Sequence, residues 1–287
     1  MLLTSQIAFA ADNYVFKSKF TVNNPNGVAV DKNGNIYVVD TANDRVKKFS
    51  LKGVLITEWG KTGIGKGEFN DPRGIAVDRL GNVYVADTGN NRIQKFTSAG
   101  AFVIRWGKGG SDKGEFSGPR GVTVDKNGVI YVADTGNDRV QSFTVKAAFI
   151  REWGKTGSGK GEFNDPRGIV VDNGLNVYVS DTGNNRIQKF TAAGAFVIRW
   201  GKTGTGNGEF DEPSGVAVDK NGNVYVADTG NDRIQKFTVK GAFVTKFGKT
   251  GAANGELNGP LGVAVDNIGD VYVADTGNNR IQIFKNT

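Results

Sequence analysis

VYVADTGNNRIQKF, residues Val83 to Phe96, sets two runs of alternating apolar residues around a cluster of turn formers. Val, Tyr, Ile and Phe at period two read as strand, and Asp-Thr-Gly-Asn-Asn between them reads as a tight turn. The pattern inside it, Asp-Thr-x-Asn-x-Arg, begins at Asp40, Asp87, Asp134, Asp181, Asp228 and Asp275, so the chain repeats every 47 residues. Six of the seven tyrosines share one repeat position, and Trp59, Trp106, Trp153 and Trp200 share another, which Phe247 takes in the fifth copy. Repetition at this period with strand patterning points to a radial array of small sheets.

Outward from the motif, the second unit supplies four short strands: GIAVD (Gly74–Asp78), VYVAD, RIQKF and AFVIRW (Ala101–Trp106), separated by Gly/Asn/Ser turns. No segment carries a helical period. Four antiparallel strands in a unit of about 40–50 residues make a propeller blade. The last unit stops after its third strand, at RIQIFKNT, whereas YVFKSKF (Tyr14–Phe20) precedes the first unit and resembles GAFVTKF (Gly241–Phe247). The N-terminal strand is therefore expected to complete the last blade. The expected fold is all-β, one six-bladed propeller of four-stranded antiparallel blades over residues 13–287. Residues 1–12, with Ala8-Phe9-Ala10 in the small-x-small form of a cleavage site, read as the remnant of a secretory signal or a disordered leader. A secreted, periplasmic or cell-surface location follows from the first reading and a cytoplasmic one from the second. The residue before the motif arginine alternates (Asp44, Asn91, Asp138, Asn185, Asp232, Asn279), which reads as the trace of a duplicated two-blade unit.

Gly-x-Ala-Val-Asp, Tyr-Val-Ala-Asp-Thr-Gly-Asn-Asn-Arg-Ile-Gln and the later Gly-Glu-Phe closely resemble NHL repeats, from about residue 13 to residue 287. The resemblance implies a six-bladed propeller. It implies no single activity, because NHL proteins include RNA-binding domains, extracellular sensors, protein-interaction modules and a lyase family.

Composition narrows the chemistry. The chain has no cysteine and no histidine, which removes disulfides, thiolate sites and the usual general base. The lyase family would call for metal-binding histidines, so that activity is not expected. A net charge of +7 permits anionic partners, and no apolar run nears the roughly 20 residues of a membrane-spanning helix. Membrane insertion is not expected, and neither is a cofactor; nothing points to an oligomer, so a monomer is the expectation.

Three motifs invite stronger readings. GKTGIGKGEFNDPRG (Gly60–Gly74) mimics a phosphate-binding loop, but the glycine needed at position 55 is leucine and no helix follows. DKNGN at Asp31 has glycine at its fourth position rather than the sixth that a calcium loop requires, so it reads as a hairpin turn. The repeated Asp-Thr-x-Asn-x-Arg residues are spread around a ring and read as structural. Asp87 and Asn90 would bond turn amides, with Arg92 pairing locally or with the next blade, as would Asp134, Arg139, Asp181 and Arg186. Phe69 is expected in the gap between two blades.

Copies of a repeat share scaffold residues, so function is sought where they differ. Alternating strand direction puts the inter-blade loops and the motif turns on one face. Entering blades two, three and four, those loops carry Lys66 and Arg73, Lys113 and Arg120, and Lys160 and Arg167, and each loop sums to +1. The next loop, with Ser214 in the arginine position, sums to −2, and the last, with Leu261 there, is neutral. The leading expectation is a non-catalytic ligand-binding or protein-interaction propeller that takes a protein or anionic polymer on this face. Arg73, Arg120 and Arg167 would lead the contact, with Lys66, Lys113 and Lys160 beside them. One alternative is single-stranded RNA binding, which wants exposed aromatics among the basic residues. A second is a calcium-dependent or carboxylate-based hydrolase or lactonase, supported by fold analogy alone.

Overall fold

The computed structural model describes residues 13–287, so the Ala8-Phe9-Ala10 motif lies outside the described residues. Six four-stranded antiparallel sheets form a ring. Blade 2 is typical: Pro72–Val77 is its inner strand, followed by Val83–Asp87, Arg92–Phe96 and the outer strand Phe102–Trp106. The second strands, such as Val83–Asp87, are buried along their length apart from Asn176 at the start of that in blade 4, because each is covered by a blade on either side. The blades pack through apolar seams. Tyr37, Val39 and Val46 of blade 1 meet Ile75, Val83, Val85 and Phe96 of blade 2, and Phe69 from the connecting loop fills that seam, fully buried.

Closure occurs as the sequence implies. Tyr14–Thr21 pairs antiparallel with Arg280–Asn286, placing Phe20 opposite Ile281 just as Phe247 lies opposite Ile234. Tyr14 extends past that register and adds a latch. It stacks on Phe247 at 4.6 Å, and its hydroxyl lies 2.7 Å from that of Tyr225 in blade 5.

The inner strands come unusually close. A β-carbon on Gly27, Gly74, Gly121, Gly168, Gly215 or Gly262 would lie 2.1–2.4 Å from a carbonyl oxygen of the next blade's inner strand. The channel is therefore narrow, and its wall is glycine backbone at the top and valines (Val30, Val77, Val124, Val218 and Val265) below.

The motif Asp-Thr-x-Asn-x-Arg-x-Gln is the mortar of the ring. In blade 2, Arg92 Nε donates to Asp87 Oδ2 at 2.6 Å, and both side chains are buried. The other guanidinium nitrogens donate to the carbonyls of Ile64, Gly65 and Glu68 in the loop entering the blade. Gln94 donates to Glu68 O and Asp87, and accepts from the Gly67 amide. Asp87 Oδ1 accepts from the Asn70 amide, and Asn90 donates to Gly63 O. So the arginine pairs within its own blade and folds the incoming loop around itself. Thr88 and Asn91 reach the other way: Thr88 donates to Pro119 O, and Asn91 accepts from the Gly118 amide, both in the approach to blade 3. Asn91 has φ 52, and its counterparts Asp44, Asp138, Asn185, Asp232 and Asn279 have φ 49–53. Asn and Asp tolerate that left-handed conformation better than other non-glycine residues, so the alternation keeps a structural requirement either way.

Tight turns complete the other face. Asp31 Oδ1 accepts from the amides of Asn33 and Asn35, and Asp125 does the same for Asn127 and Val129. The DKNGN stretches are hairpins, as expected. Burial, then the Asp125 charge and the hydrogen bond to it, push the Tyr131 phenol up to about 12.

Three outcomes are expected. Gly262→Ala sets a β-carbon against Asn26 O across the closing seam and should lose at least the ~1–3 kcal/mol typical of overpacking, read by urea unfolding. Arg186→Met leaves Asp181 buried without its partner and should cost about 3–5 kcal/mol, with the 157–162 loop turning protease-sensitive. The Gly65 amide and then Lys61 hold the Glu68 carboxyl below its usual value, and its four counterparts are lowered as well. A depressed carboxylate contributes stability above its unfolded pKa, near ~4.3, and loses it as pH falls through the lower folded value. Thermal unfolding temperature should therefore hold steady from pH 8 to pH 5 as far as these groups are concerned, and fall below about pH 4.

Candidate binding site at the channel mouth

Residues at one repeat position ring the mouth of the channel on the inter-blade-loop face: Asn26, Arg73, Arg120, Arg167, Ser214 and Leu261. Backbone contacts set each of them rigidly. The proline before it has its carbonyl held by the preceding blade's threonine, and the glycine after it packs against the next blade. The three arginines therefore sit side by side on blades 2, 3 and 4, and the residues at that position on the other three blades, Asn26, Ser214 and Leu261, are uncharged. Beneath them lies a cavity of about 240 Å³, lined below the mouth by alanine, valine and isoleucine with one threonine, Thr123.

The arginines are not equivalent. Arg73 Nε donates to Asp71 at 2.9 Å, two residues earlier in its own blade. Arg167 repeats this with Asp165, at 2.7 Å from Nε and 2.6 Å from Nη2, and also lies 3.7 Å from Glu212. In blade 3 the equivalent carboxylate is missing, because Gly118 stands where the neighbours have Asp71 and Asp165. Among the described residues, the carboxylate within 4 Å of the Arg120 guanidinium is Asp165 at 3.9 Å, beyond hydrogen-bond reach, and Asp71 acts on it from farther off. Burial lowers the pKa of Arg120, and the charges of Arg167 and Arg73 lower it further. All three side chains stay between a fifth and a third exposed at the mouth, so a ligand can reach them.

The lysines lie elsewhere. The Lys66 ammonium sits 5.9 Å from the centre of the Phe102 ring, and Lys113 sits at the same distance from Phe149. Both rings begin outer strands, so these lysines decorate the perimeter, as does Lys160 at the same repeat position. A second lysine in each loop (Lys61, Lys108, Lys155, Lys202, Lys249) pairs with that loop's glutamate at 2.9–3.3 Å and contributes no asymmetry. The structure thus brings the arginines together and leaves the lysines apart from them. Summing charge by loop hides this, because each loop runs from the rim to the channel. The Gly118 replacement is visible in an alignment of the six copies and is the signal that marks Arg120.

The remaining expected site residues are structural. Asp87, Asn90 and Arg92 form the node described above, and Asp134 with Arg139 and Asp181 with Arg186 repeat it at 2.7 and 2.6 Å. The tryptophans pack sideways on the phenylalanines of the next blade, Trp59 on Phe96 at 5.9 Å and Trp106 on Phe143 at 5.9 Å. Their indole N–H groups are buried without a partner, so they fill volume between blades. Among the described residues, no group of three or more acidic side chains is placed to hold a metal ion, and no helix is long and apolar enough to cross a membrane.

The comparisons with known proteins agree on the architecture. Solved structures that share the fold include a virginiamycin B lyase from Staphylococcus aureus (14% identity, TM-score 0.67, 95% of this chain and 99% of that one). A gluconolactonase from Xanthomonas campestris is similar at 13% identity and TM-score 0.70, over 98% and 96% of the two chains. A Bacteroides thetaiotaomicron protein of unknown function matches at 20% identity and TM-score 0.71, over 96% and 72%. At such identities the likeness shows the fold alone. No curated protein matches the sequence. The NHL repeat pattern matches residues 22–49, 69–96, 116–143, 163–190, 210–237 and 257–284, one copy per blade and more than half of the chain in all. On that match the chain belongs to the NHL-repeat family.

Proposed function

We propose that this propeller is a non-catalytic binding module that takes an anionic group of a protein or polymer partner at the channel mouth. The observation that carries this is the placement of Arg73, Arg120 and Arg167 on one half of the mouth, opposite Asn26, Ser214 and Leu261. A rigid scaffold with the same backbone in six copies and different side chains at one position suits recognition, because the difference is held in place without loop mobility. The absence of histidine and cysteine from the sequence supports binding over catalysis. So does the engagement of the nearest carboxylates, Asp71 and Asp165, by arginine. Acid–base chemistry wants two carboxyl groups in contrasting environments, and these two are alike. The tryptophans are half-buried and packed on seam phenylalanines away from the mouth, and this favours a protein or polyanion over single-stranded RNA, which needs aromatic faces to stack on.

The test is retention on immobilised heparin and poly-L-glutamate. The wild-type protein should bind at low ionic strength and release as salt rises, as an electrostatic contact does. Reversing Arg73, Arg120 and Arg167 together to glutamate should abolish retention, whereas Lys66→Glu, Lys113→Glu and Lys160→Glu together should weaken it far less. Equal retention by the arginine reversal would remove the assignment. Tighter binding to oligouridylate than to either polyanion would move it to RNA.

A further inference from the structure

We propose that the channel mouth is a site for one carboxylate carried on a small apolar body, with Arg120 as its partner and the valine-lined cavity as the seat of the apolar part. The inference rests on the reading of the mouth as an anion site and names what enters it.

The charge balance selects the ligand. Three guanidiniums stand at the mouth, but two are already met by Asp71 and Asp165 in direct hydrogen bonds, with Glu212 3.7 Å from the second. Arg120 is the one of the three without a carboxylate at hydrogen-bond distance. A dianion such as a phosphate monoester would bring two charges to that one guanidinium, beside the three carboxylates already at the mouth, Asp71, Asp165 and Glu212. A carboxylate brings one, and its two oxygens match the fork of a guanidinium in a bidentate pair. Arg120 has this fork open: its nearest carboxylate is 3.9 Å away, and it is flanked by two like charges whose repulsion a bound anion would offset.

The cavity sets the size and polarity of the rest. Its walls below the arginines are Ile75, Val77, Val122, Val124, Ile169 and their counterparts around the ring. At about 240 Å³ it lies under the ~300–1,000 Å³ of pockets for drug-sized molecules, which fits a short aliphatic body and excludes a sugar chain or a folded segment. Two sources carry this chemistry: a free short-chain carboxylic acid, and the terminal carboxylate of a polypeptide ending in an aliphatic residue.

Blade 3 also shows how the site can be closed without touching Arg120. Gly118 has φ 53, and Asp71 and Asp165 adopt φ 49 and 53 at the same repeat position. A β-carbon on Gly118 would meet nothing within 4 Å. Gly118→Asp should therefore fold and give Arg120 the partner its neighbours have.

Calorimetric titration with 4-methylpentanoate and its amide, and with Gly-Gly-Leu as free acid and as C-terminal amide, tests the site. At least one acid should bind, and its amide should bind about tenfold more weakly or worse, as expected for losing a charge-assisted pair. Arg120→Gln and Gly118→Asp should each weaken the acid by a similar factor, with the unfolding temperature of the free Gly118→Asp protein unchanged. Binding of the tripeptide acid alone supports the site and makes a polypeptide terminus its source; binding of 4-methylpentanoate alone supports it with a free acid as source. Acid and amide binding alike, full affinity in Gly118→Asp, or no binding of either acid would overturn the carboxylate site. If heparin retention still depended on the arginines in that last case, the anionic face would stand and only this inference would fall.

Discussion

A buried ion pair between aspartate and arginine, repeated in blades 2 to 6, is the contact on which the geometry of the binding face depends. Taken alone such a pair adds little net stability, since removing two charges from water costs about what their attraction returns. Its value here lies in what else the arginine does. Arg92 spends one nitrogen on Asp87 and the other two on three loop carbonyls, so the pair is also the core around which a loop with almost no apolar content is wound. Blade 1 is the control within the molecule. Only the short stretch Val22–Asn24 leads into it, so there is no loop to wind. There Arg45 is 29% exposed and turns to Glu58, and Lys47 replaces the glutamine and joins Asp40 at 3.3 Å. The loop-binding glutamine is the member replaced where the loop is missing, and the arginine that remains is left partly exposed.

The ring then converts loop order into site order. Each motif holds its own loop with aspartate, arginine and glutamine, and holds the start of the next blade with threonine and the left-handed Asn or Asp. Arg120 is thus positioned by blade 2 through Thr88 and Asn91, and by blade 4 through the contact of Gly121 with Arg167 O. Three blades fix one side chain without a residue dedicated to that job.

Much of this was legible in the residues. The period, the strand pattern and the resemblance of Tyr14–Phe20 to Gly241–Phe247 were enough for the architecture and its closure, because burial on both faces leaves little choice of side chain. The arginines stood out for the opposite reason, as departures from an otherwise repeated position. What stayed hidden depended on distance across the ring. Lys66 and Arg73 are seven residues apart in the chain, yet one lies on an outer-strand phenylalanine and the other at the channel. The alternating Asp and Asn looked like an echo of duplication, and its role as a bond to the next blade needs φ and a partner to be seen. Tyr14 has no counterpart in the other blades, so no repeat could announce its latch on Tyr225 and Phe247.

Gly118 was hidden in a different way, and it bears on how a symmetric scaffold acquires a site. Looking for function in a repeat protein usually means looking for an added residue, and a glycine in a glycine-rich loop passes as spacing. Here the addition, Arg73-type arginine, occurs three times and is self-neutralised twice. The third copy differs by a deletion: a carboxyl group is absent, and a guanidinium is left facing an apolar shaft. Removing a carboxylate from a rigid ring costs the fold little, since a left-handed φ suits glycine better than aspartate. It leaves a half-buried cation with like charges on both sides, which Asp165 and Asp71 offset only from a distance and a bound anion would offset directly. Subtraction of one side chain from a rigid, repeated ring is the smallest change that could turn a structural repeat into a recognition site.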